Sequence, residues 1–216
     1  MRRVTREQMA EVDRLVPEKY GITVGKLMEN AGYQLADFLR QNFSGEKISF
    51  YIGKGHNGGD GLVAARRLEQ WGFDVELVLV TEQLEGIVGE EFETLQKLGV
   101  ETVEEASGEV AVDALIGYSL EGAPRPPFDG LVESVNEHGT VVSVDIPTGV
   151  DADTGEKFEP CVEPDYTVTF GLPFQGIDEQ NAGEVWIADI SIPGEAYEEA
   201  GVETGDMFSD SSLVGL

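Results

Sequence analysis

Polar residues that could bind a ligand follow three apolar, strand-like runs of this sequence. The first group lies in the glycine-rich segment 53–61, which comes directly after Ile48–Ile52 and contains His56, Asn57 and Asp60. Glycines permit a tight turn and bring backbone N–H groups close to a ligand, and a helix that begins there favours an anion. The segment predicts a phosphate or pyrophosphate site, with Asp60 either capping the helix or binding a ligand hydroxyl. The alternative is a turn that only connects two elements.

The second and third groups each place an aspartate in an apolar strand. Asp113 interrupts one such run, and Asp145 lies near the end of another. Burying an unpaired carboxylate is costly, so each aspartate requires a cation or hydrogen-bond donors as partners. The alternative interpretation is that both acids cap turns or pair with Lys54 and Arg125.

The three groups could converge on one pocket. If the two aspartate-bearing strands are neighbours, their carboxyl ends bring Asn57, Asp113, Asp145 and Thr148 together. Oxygen ligands of this kind suit a hard cation, and the absence of Cys or a nearby His argues against zinc.

Other chemically capable residues are fewer. His138 precedes Gly139 at a predicted helix end, where an imidazole suits the helix dipole. Cys161 is the only cysteine, which excludes an internal disulfide, and we interpret it as a structural thiol. His56 either contacts a ligand or is an ordinary polar loop residue. The sequence has neither a Gly-x-Ser-x-Gly elbow nor a Walker lysine motif, which argues against a triad hydrolase and a P-loop nucleotidase.

The charge balance is strongly acidic. With 42 acidic and 14 basic residues, the formal net charge is −28, which excludes nucleic acid and acidic membranes as natural partners. The electrostatic screening length falls from about 10 Å at 0.1 M salt to about 3 Å at 1 M, so molar salt would remove most of the repulsion. We therefore predict a protein from a halophile, the alternative being an ordinary acidic protein. Since neither a signal peptide nor an apolar run of about 18 residues is present, we expect a cytoplasmic location.

Two helices are predicted before the first strand. Thr5 and Gln8 match a capping box, and the apolar spacing that follows predicts a helix over about residues 6–16. Thr23 can cap a second helix, whose apolar stripe extends over 27–39.

From residue 48 onward, strand-like runs alternate with helical segments. The predicted strands are 48–52, 75–80, 110–116, 141–146, 166–170 and 185–190, and the predicted helices between them are 59–71, 88–98 and 128–137. This alternation predicts a three-layer α/β domain of the Rossmann-like type with a mostly parallel sheet. The last two runs lack an intervening helix, which leaves room for an antiparallel edge. We expect a single domain over 1–216, with an acidic and loosely held tail at about 201–216.

Five motifs occur in an order that resembles the NAD(P)H-hydrate epimerase family. They are LMENAG at 27–32, NGGDGLVAAR at 57–66, DALIG at 113–117, SVDIPTG at 143–149 and TVTFG at 167–171. One such motif could arise by chance, but the ordered set extends over most of the chain. The resemblance implies a Rossmann-like domain that forms a homodimer.

The resemblance also implies which residues form the site. Asn57, Asp113 and Thr148 would hold one potassium ion per subunit, and Asp145 would act on the nicotinamide ring. The substrate-binding residues that it implies are His56, Asn57, Gly58, Gly59, Asp60, Gly117, Tyr118, Ser119, Leu120, Glu121, Gly122, Ala123 and Asp145.

The implied activity is an isomerisation that repairs damaged cofactor. The enzyme would interconvert the (R)- and (S)-hydrates of NADH and NADPH, called NADHX and NADPHX, and a separate ATP- or ADP-dependent dehydratase would be its functional partner. Three departures from the family pattern are visible. His56 replaces a common second Asn, Thr148 replaces a usual Ser, and Phe174 and Gln175 occupy the place of a common Lys.

Two other interpretations compete with this one. The chain could be a non-catalytic module of the same type that binds a ligand or a protein, although such a module would not need these buried polar groups. It could also be a dehydrogenase or a methyltransferase. In that case the acid that binds ribose would be Asp74 or Glu76, which lies near the start of the second strand and not at its end.

Overall fold

The computed structural model describes residues 2–205 and 208–216, and a mixed sheet of eight strands lies at its centre. The strands are β1 (Ile48–Ile52), β2 (Val75–Leu79), β3 (Glu101–Thr102), β4 (Val110–Ala114), β5 (Thr140–Val144), β6 (Tyr166–Phe170), β7 (Glu184–Ala188) and β8 (Leu213–Gly215). Their order is β3-β2-β1-β4-β5-β6-β7-β8, and every neighbouring pair is parallel except β7 and β8.

Seven helices surround the sheet in the described part of the chain. They are α1 (Arg6–Tyr20), α2 (Val24–Asn42), α3 (His56–Gln70), α4 (Gly86–Leu98), α5 (Phe128–Val135), α6 (Glu179–Ala182) and α7 (Gly194–Glu199). Helices α1 and α2 precede the first strand, as predicted.

The sheet is covered on both faces, because its central strands alternate between two apolar clusters. In β1, the side chains of Ile48, Phe50 and Ile52 belong to the cluster that also contains residues of α2, α3 and α4. Tyr51 points to the other face and packs with Val132 and Val135 of α5. Such two-sided burial is typical of parallel sheets. The predicted three-layer, mostly parallel α/β fold is confirmed.

Side-chain caps fix where the first two helices begin. Thr5 and Gln8 form the complete capping box of α1, and the Thr23 hydroxyl accepts a hydrogen bond from the N–H of Lys26 in α2. Helix α1 extends beyond its predicted end at residue 16 and includes Pro17. It ends where Gly21 adopts a left-handed conformation (φ 67°) and donates its N–H to a carbonyl of the last turn.

Close packing of α2 on α3 sets the position of the glycine-rich turn. A Cβ on Gly32 of α2 would lie 2.4 Å from the Cγ1 atom of Val63 in α3, so only glycine permits this approach of the two helices. Helix α3 is thereby held above β1 with its N-terminus at the carboxyl end of that strand.

The edges of the sheet differ from prediction. Strands β6 and β7 are parallel, because the chain between them, which includes α6, is long enough for a crossover. The antiparallel edge is formed one strand later, by β8. This strand lies inside the segment 201–216, for which the sequence predicted a loosely held tail, and the assignment of a loose tail is wrong for the three residues that join the sheet. Asp206 and Met207 of that segment lie outside the described residues.

Within residues 2–205 and 208–216, no helix combines the length and the hydropathy needed to cross a membrane.

A buried carboxylate secures the second strand at the end of the sheet remote from the strand carboxyl ends. Glu76 is 1% exposed, forms an ion pair with Lys47, and accepts hydrogen bonds from the Ser49 hydroxyl (2.6 Å) and the Gly108 N–H (3.1 Å). Burial alone raises the pKa of Glu76, but these partners and the Ser107 N–H outweigh it and lower the pKa to about 2. Glu76 is therefore a structural acid and does not face a ligand.

Replacing Glu76 by Gln is expected to destabilise the fold in a pH-dependent way. The variant keeps the side-chain volume but loses the charge that pairs with Lys47, at a cost of about 2 to 4 kcal/mol at pH 7. Because the pKa of Glu76 is lowered in the folded state, its contribution is present above its ordinary pKa of 4.5 and is lost as the pH falls towards 2. Urea unfolding at fixed KCl measures the difference at pH 7 and at pH 3. The exposed Glu82→Gln is the control, and an equal difference at both pH values would contradict the assignment.

Candidate active site

A cavity of about 620 Å³ opens at the carboxyl ends of the central strands. Strands β1 and β4 are neighbours, but the chain leaves β1 towards β2 and β3 on one side and reaches β5 and later strands on the other. Ligands bind at such switch points in open α/β sheets, because the loops diverge there and leave a crevice. The segments after β1, β4 and β5 line this cavity, together with α1 and α2.

The glycine-rich turn after β1 forms one wall. Helix α3 begins at His56, three residues before its predicted start, and Gly55 is its N-cap. Asp60 therefore lies inside the helix, so the interpretation that Asp60 caps it is wrong. A Cβ on Gly58 would lie 2.0 Å from the carbonyl oxygen of Gly53, which explains why this tight turn requires glycine.

Asp113 is fully buried beneath the cavity and is held by hydrogen-bond donors. Its Oδ2 atom accepts from the Ser143 hydroxyl (2.9 Å) and the Thr148 N–H (2.9 Å), and its Oδ1 atom accepts from the Thr148 hydroxyl (2.8 Å) and the Leu115 N–H (3.2 Å). Burial nevertheless raises the pKa of Asp113. The expected partners of this acid are donors, and neither Lys54 nor Arg125 pairs with it within the part of the chain that the structure describes.

Asn57 lies in the first turn of α3 with its amide unpartnered. Both the Oδ1 and the Nδ2 atoms are buried and form no hydrogen bond with the described residues. The amide lies against the segment after β4, since a Cβ on Gly117 would be 3.4 Å from Asn57 Oδ1. The preceding residue, Ile116, donates its N–H to the Thr148 hydroxyl (3.0 Å). The loop after β4 thus links the Asn57 amide to the Thr148 hydroxyl.

The oxygen atoms of Asn57, Asp113 and Thr148 are of the kind that a hard monovalent cation binds, and the buried amide oxygen of Asn57 is unpaired. The oxygens of Asp113 and Thr148 already form hydrogen bonds, so a cation here would replace some of those bonds. Among residues 2–205 and 208–216, no three His, Cys, Asp or Glu side chains cluster as a metal site. A cation here would therefore need amide, hydroxyl or carbonyl oxygens besides its carboxylate.

Asp145 follows β5 in a conformation that is rare for residues other than glycine. Its φ is 64°, and its N–H donates to the carbonyl of Val168 (2.8 Å), which holds this backbone against β6. The carboxyl group lines the cavity but is only 9% exposed. Its Oδ1 atom lies 3.4 Å from the Thr169 hydroxyl.

Burial raises the pKa of Asp145 to about 7, and the negative charge of Asp13 adds to this increase. Hydrogen bonds from the Phe170 N–H and the Thr169 hydroxyl oppose it without cancelling it. Near neutral pH the group is therefore present both as an acid and as a base, which is the property that proton transfer in both directions requires.

Two further acids face the same cavity. Burial raises the pKa of Asp60 well above its ordinary value, and the charges of Asp145 and Asp13 raise it further. No described residue donates a hydrogen bond to Asp60. Asp13 lies at the exposed rim and accepts a hydrogen bond from the Tyr118 hydroxyl. The cavity thus contains three carboxyl groups, and burial raises the pKa of each of them.

Only some of the predicted substrate-binding residues line the cavity. His56, Asn57, Asp60 and Asp145 line the cavity, as do Gly117, Tyr118 and Ser119. Gly58 and Gly59 are buried in the first turn of α3 and do not line it. Leu120 is buried outside the lining, Gly122 also lies beyond it, and Glu121 and Ala123 are exposed to solvent.

Sequence reasoning missed one polar and several apolar residues of the cavity. Asp13 is four residues after Met9 and therefore lies on the same face of α1. This helical spacing between an acid and a buried apolar residue was the signal that could have placed Asp13 in the cavity. The unpredicted apolar wall consists of Met9, Val24, Leu27, Met28, Ala31, Phe128, Phe170 and Ile190.

The residues interpreted as structural lie away from the cavity. His138 contacts the Tyr51 hydroxyl (2.9 Å) and donates to the Gly108 carbonyl (2.9 Å). Cys161 is buried, and burial raises the pKa of its thiol to about 12, which leaves it an unreactive thiol.

Comparisons with known proteins identify the family to which the chain belongs. The profile of a protein family described as YjeF-related protein N-terminus matches residues 24–176. The NAD(P)H-hydrate epimerase of Dehalogenimonas lykanthroporepellens is 35% identical over 211 residues, which cover 93% of this chain and 86% of that protein. A bifunctional NAD(P)H-hydrate repair enzyme of Thermofilum pendens is 41% identical over 90% of this chain, and the chain spans 41% of the length of that enzyme.

A solved structure supports the same relationship. The crystal structure of the yeast protein ynu0 (YNL200c) superposes with a TM-score of 0.86 at 26% identity, and the match covers 100% of both chains. The resemblance identified from the five sequence motifs is thereby confirmed. The chain belongs to the YjeF-related protein N-terminus family, which it shares with the NAD(P)H-hydrate epimerases.

Proposed function

We propose that this protein is an isomerase that interconverts the (R)- and (S)-epimers of NADHX and NADPHX, and so repairs hydrated nicotinamide cofactor. The observation that carries the proposal is the carboxyl group of Asp145, which lines the cavity at the switch point of the sheet and has a pKa of about 7. Membership of the epimerase family supports it.

Asp145 is the proposed acid and base. In the hydrated ring, one carbon bears the hydroxyl group and is bonded to the ring nitrogen, whose lone pair can expel that hydroxyl. Asp145 donates a proton as the carbon–oxygen bond breaks, so water leaves and an iminium carbon forms. Water then adds to the opposite face of this carbon and returns a proton to Asp145, which restores the acid. Reversible ring opening would use the same group.

The glycine-rich turn would bind the pyrophosphate of the dinucleotide. The N-terminus of α3 directs backbone N–H groups towards the cavity, and an anion is favoured there. Lys54, at the cavity rim, adds a positive charge. His56–Asp60 and Gly117–Ala123 remain the proposed substrate segments, with the residues that line the cavity in direct contact.

A potassium ion is the proposed cofactor, held by Asn57, Asp113 and Thr148. When bound, it would supply positive charge beneath the substrate. The ion would give the buried amide of Asn57 the partner that it lacks. The Thr148 hydroxyl hydrogen-bonds with Asp113 and with the N–H of Ile116, and so keeps the loop after β4 in place. Thr148 retains the oxygen atom of the serine that is usual at this position.

Adaptation to salt is a further part of the proposal. Dinucleotide hydrates are anions, and they would approach a protein with a formal net charge of −28. Molar salt would screen this repulsion, since the screening length is about 3 Å under those conditions. The assignment to a halophile, the single domain, the homodimer, the cytoplasmic location and the separate dehydratase partner stay predictions.

Replacing Asp145 by Asn should abolish most of the activity. The amide keeps the size of the side chain but cannot exchange a proton with the substrate, so epimerisation is expected to slow by about 10²- to 10⁴-fold. The measurement is the interconversion of purified (R)- and (S)-NADHX, followed by chromatography in molar KCl. The control is Asp74→Asn, which removes an exposed acid. A folded wild type that does not accelerate the reaction would support the non-catalytic binding module, and an Asp145→Asn variant within threefold of wild type would remove Asp145 from the mechanism.

Replacing KCl by choline chloride at constant ionic strength should abolish most of the activity, because the quaternary ammonium group of choline cannot be coordinated by the oxygen atoms of Asn57, Asp113 and Thr148. Thr148→Val, which keeps the shape of the side chain but removes its oxygen, should weaken the dependence on potassium. Equal activity in KCl and in choline chloride would exclude the potassium site.

A separate experiment raises the total salt concentration at saturating potassium. Salt adaptation predicts that activity and the midpoint of thermal unfolding both increase up to molar salt. A steady fall in both would exclude salt adaptation.

A further inference from the structure

Asp13 and Tyr118 meet at the mouth of the cavity, although 105 residues separate them in the sequence. Asp13 lies on α1, before the residues matched by the family profile, and Tyr118 lies in the segment after β4. The Tyr118 hydroxyl donates a hydrogen bond to Asp13 Oδ2, and its ring packs against Phe174 with the ring centres 5.2 Å apart. Both side chains line the cavity, and neither takes part in the proposed proton transfer, although the charge of Asp13 helps to raise the pKa of Asp145.

The direction of this hydrogen bond determines what the pair can bind. Burial raises the pKa of Asp13, and the hydrogen bond from Tyr118 opposes this rise because it stabilises the ionised form. The ionised carboxylate only accepts hydrogen bonds, so the proton of the Tyr118 hydroxyl is committed to Asp13. Burial and the charge of Asp13 raise the pKa of Tyr118, so the hydroxyl stays protonated. The phenolic oxygen then offers only lone pairs to a ligand. Asp13 Oδ1 accepts no hydrogen bond from any described residue and is also available.

The pair therefore presents two neighbouring acceptors and a negative charge. It would bind a neutral group that carries two hydrogen-bond donors side by side, and it would repel a phosphate. In a dinucleotide hydrate, the vicinal hydroxyls of a ribose have this character. Carboxylates bind ribose hydroxyls in the same way in dinucleotide-binding folds.

We propose that Asp13 and Tyr118 form a ribose subsite, in which the Asp13 carboxylate and the Tyr118 oxygen accept hydrogen bonds from the two hydroxyls of one ribose of the substrate. Asp13 also positions Tyr118 by taking its proton. The proposal rests on the proposed function, since it assumes a dinucleotide in the cavity. It adds a substrate contact from α1, which the sequence motifs do not include.

The test measures equilibrium binding of ADP-ribose by calorimetry, which does not require turnover. Asp13→Asn removes the charge without changing the volume, and Tyr118→Phe removes the oxygen. Loss of a hydrogen bond to a charged group is expected to raise the Kd for Asp13→Asn by about 10- to 100-fold. Tyr118→Phe should raise it by about 3- to 10-fold, and the KM for NADHX should rise in parallel. The control is Glu7→Gln, an exposed acid on the same helix. Thermal unfolding verifies that each variant is folded.

Two further probes identify which ribose is bound. If it is the adenosine ribose, wild type should bind 2′-phospho-ADP-ribose at least tenfold more weakly than ADP-ribose, and Asp13→Asn should reduce this difference. If it is the ribose next to the nicotinamide, the 2′-phosphate should have little effect. ADP, which lacks that ribose, should then bind equally to wild type and Asp13→Asn.

Either of these patterns supports the subsite. Binding of ADP-ribose within twofold of wild type in both Asp13→Asn and Tyr118→Phe would overturn it, and a wild type that still epimerises NADHX would show that only the subsite fails. A wild type that neither binds ADP-ribose nor epimerises NADHX would overturn the proposed function as well.

Discussion

The site depends on one buried carboxylate. Asp113 is fully enclosed at the end of β4, and leaving it without partners would cost several kcal/mol. Its four hydrogen bonds come from its own strand exit, from β5 and from the loop that follows β5. The hydrogen bonds to Asp113 therefore fix the positions of two neighbouring loops, the one after β4 and the one after β5. Asp145 lies on the path between two of these donors, Ser143 and Thr148, and this constraint accounts for its being held at a positive φ.

The electrostatics of the cavity follow from this arrangement. Burial and the negative charge of Asp13 raise the pKa of Asp145 to about 7, so proton transfer in either direction is accessible at neutral pH. Asp13, at the rim, contributes to this increase while remaining open to solvent. The same negative charges oppose an anionic substrate. The N-terminus of α3 and Lys54 offset that repulsion locally, and a cation beside Asn57 would reduce it further.

The sequence was sufficient to predict which residues at the ends of neighbouring strands lie close together. Asp113, Asp145 and Thr148 could be brought together because parallel strands place their carboxyl ends on one edge, and the pairing of β4 with β5 confirms that step. The start of α3 was misplaced because Gly55 caps it without a side chain, which leaves no residue-type signal. Asp13 was missed because its position in the cavity depends on how α1 packs against the rest of the fold. Strand β8 was missed because three residues are too few to show an alternating apolar pattern.

The pKa of Asp145 decides whether this group can transfer a proton at neutral pH. Aspartate labelled with ¹³C at the carboxyl carbon can be titrated by NMR in molar KCl, and the Asp145→Asn variant assigns the resonance. The midpoint is expected near pH 7, because burial and the negative charge of Asp13 disfavour the charged form of Asp145. A midpoint near the ordinary value of about 4 would mean that the group is a permanent carboxylate at neutral pH. It could not then serve as the proton donor, and the proposed mechanism would be wrong.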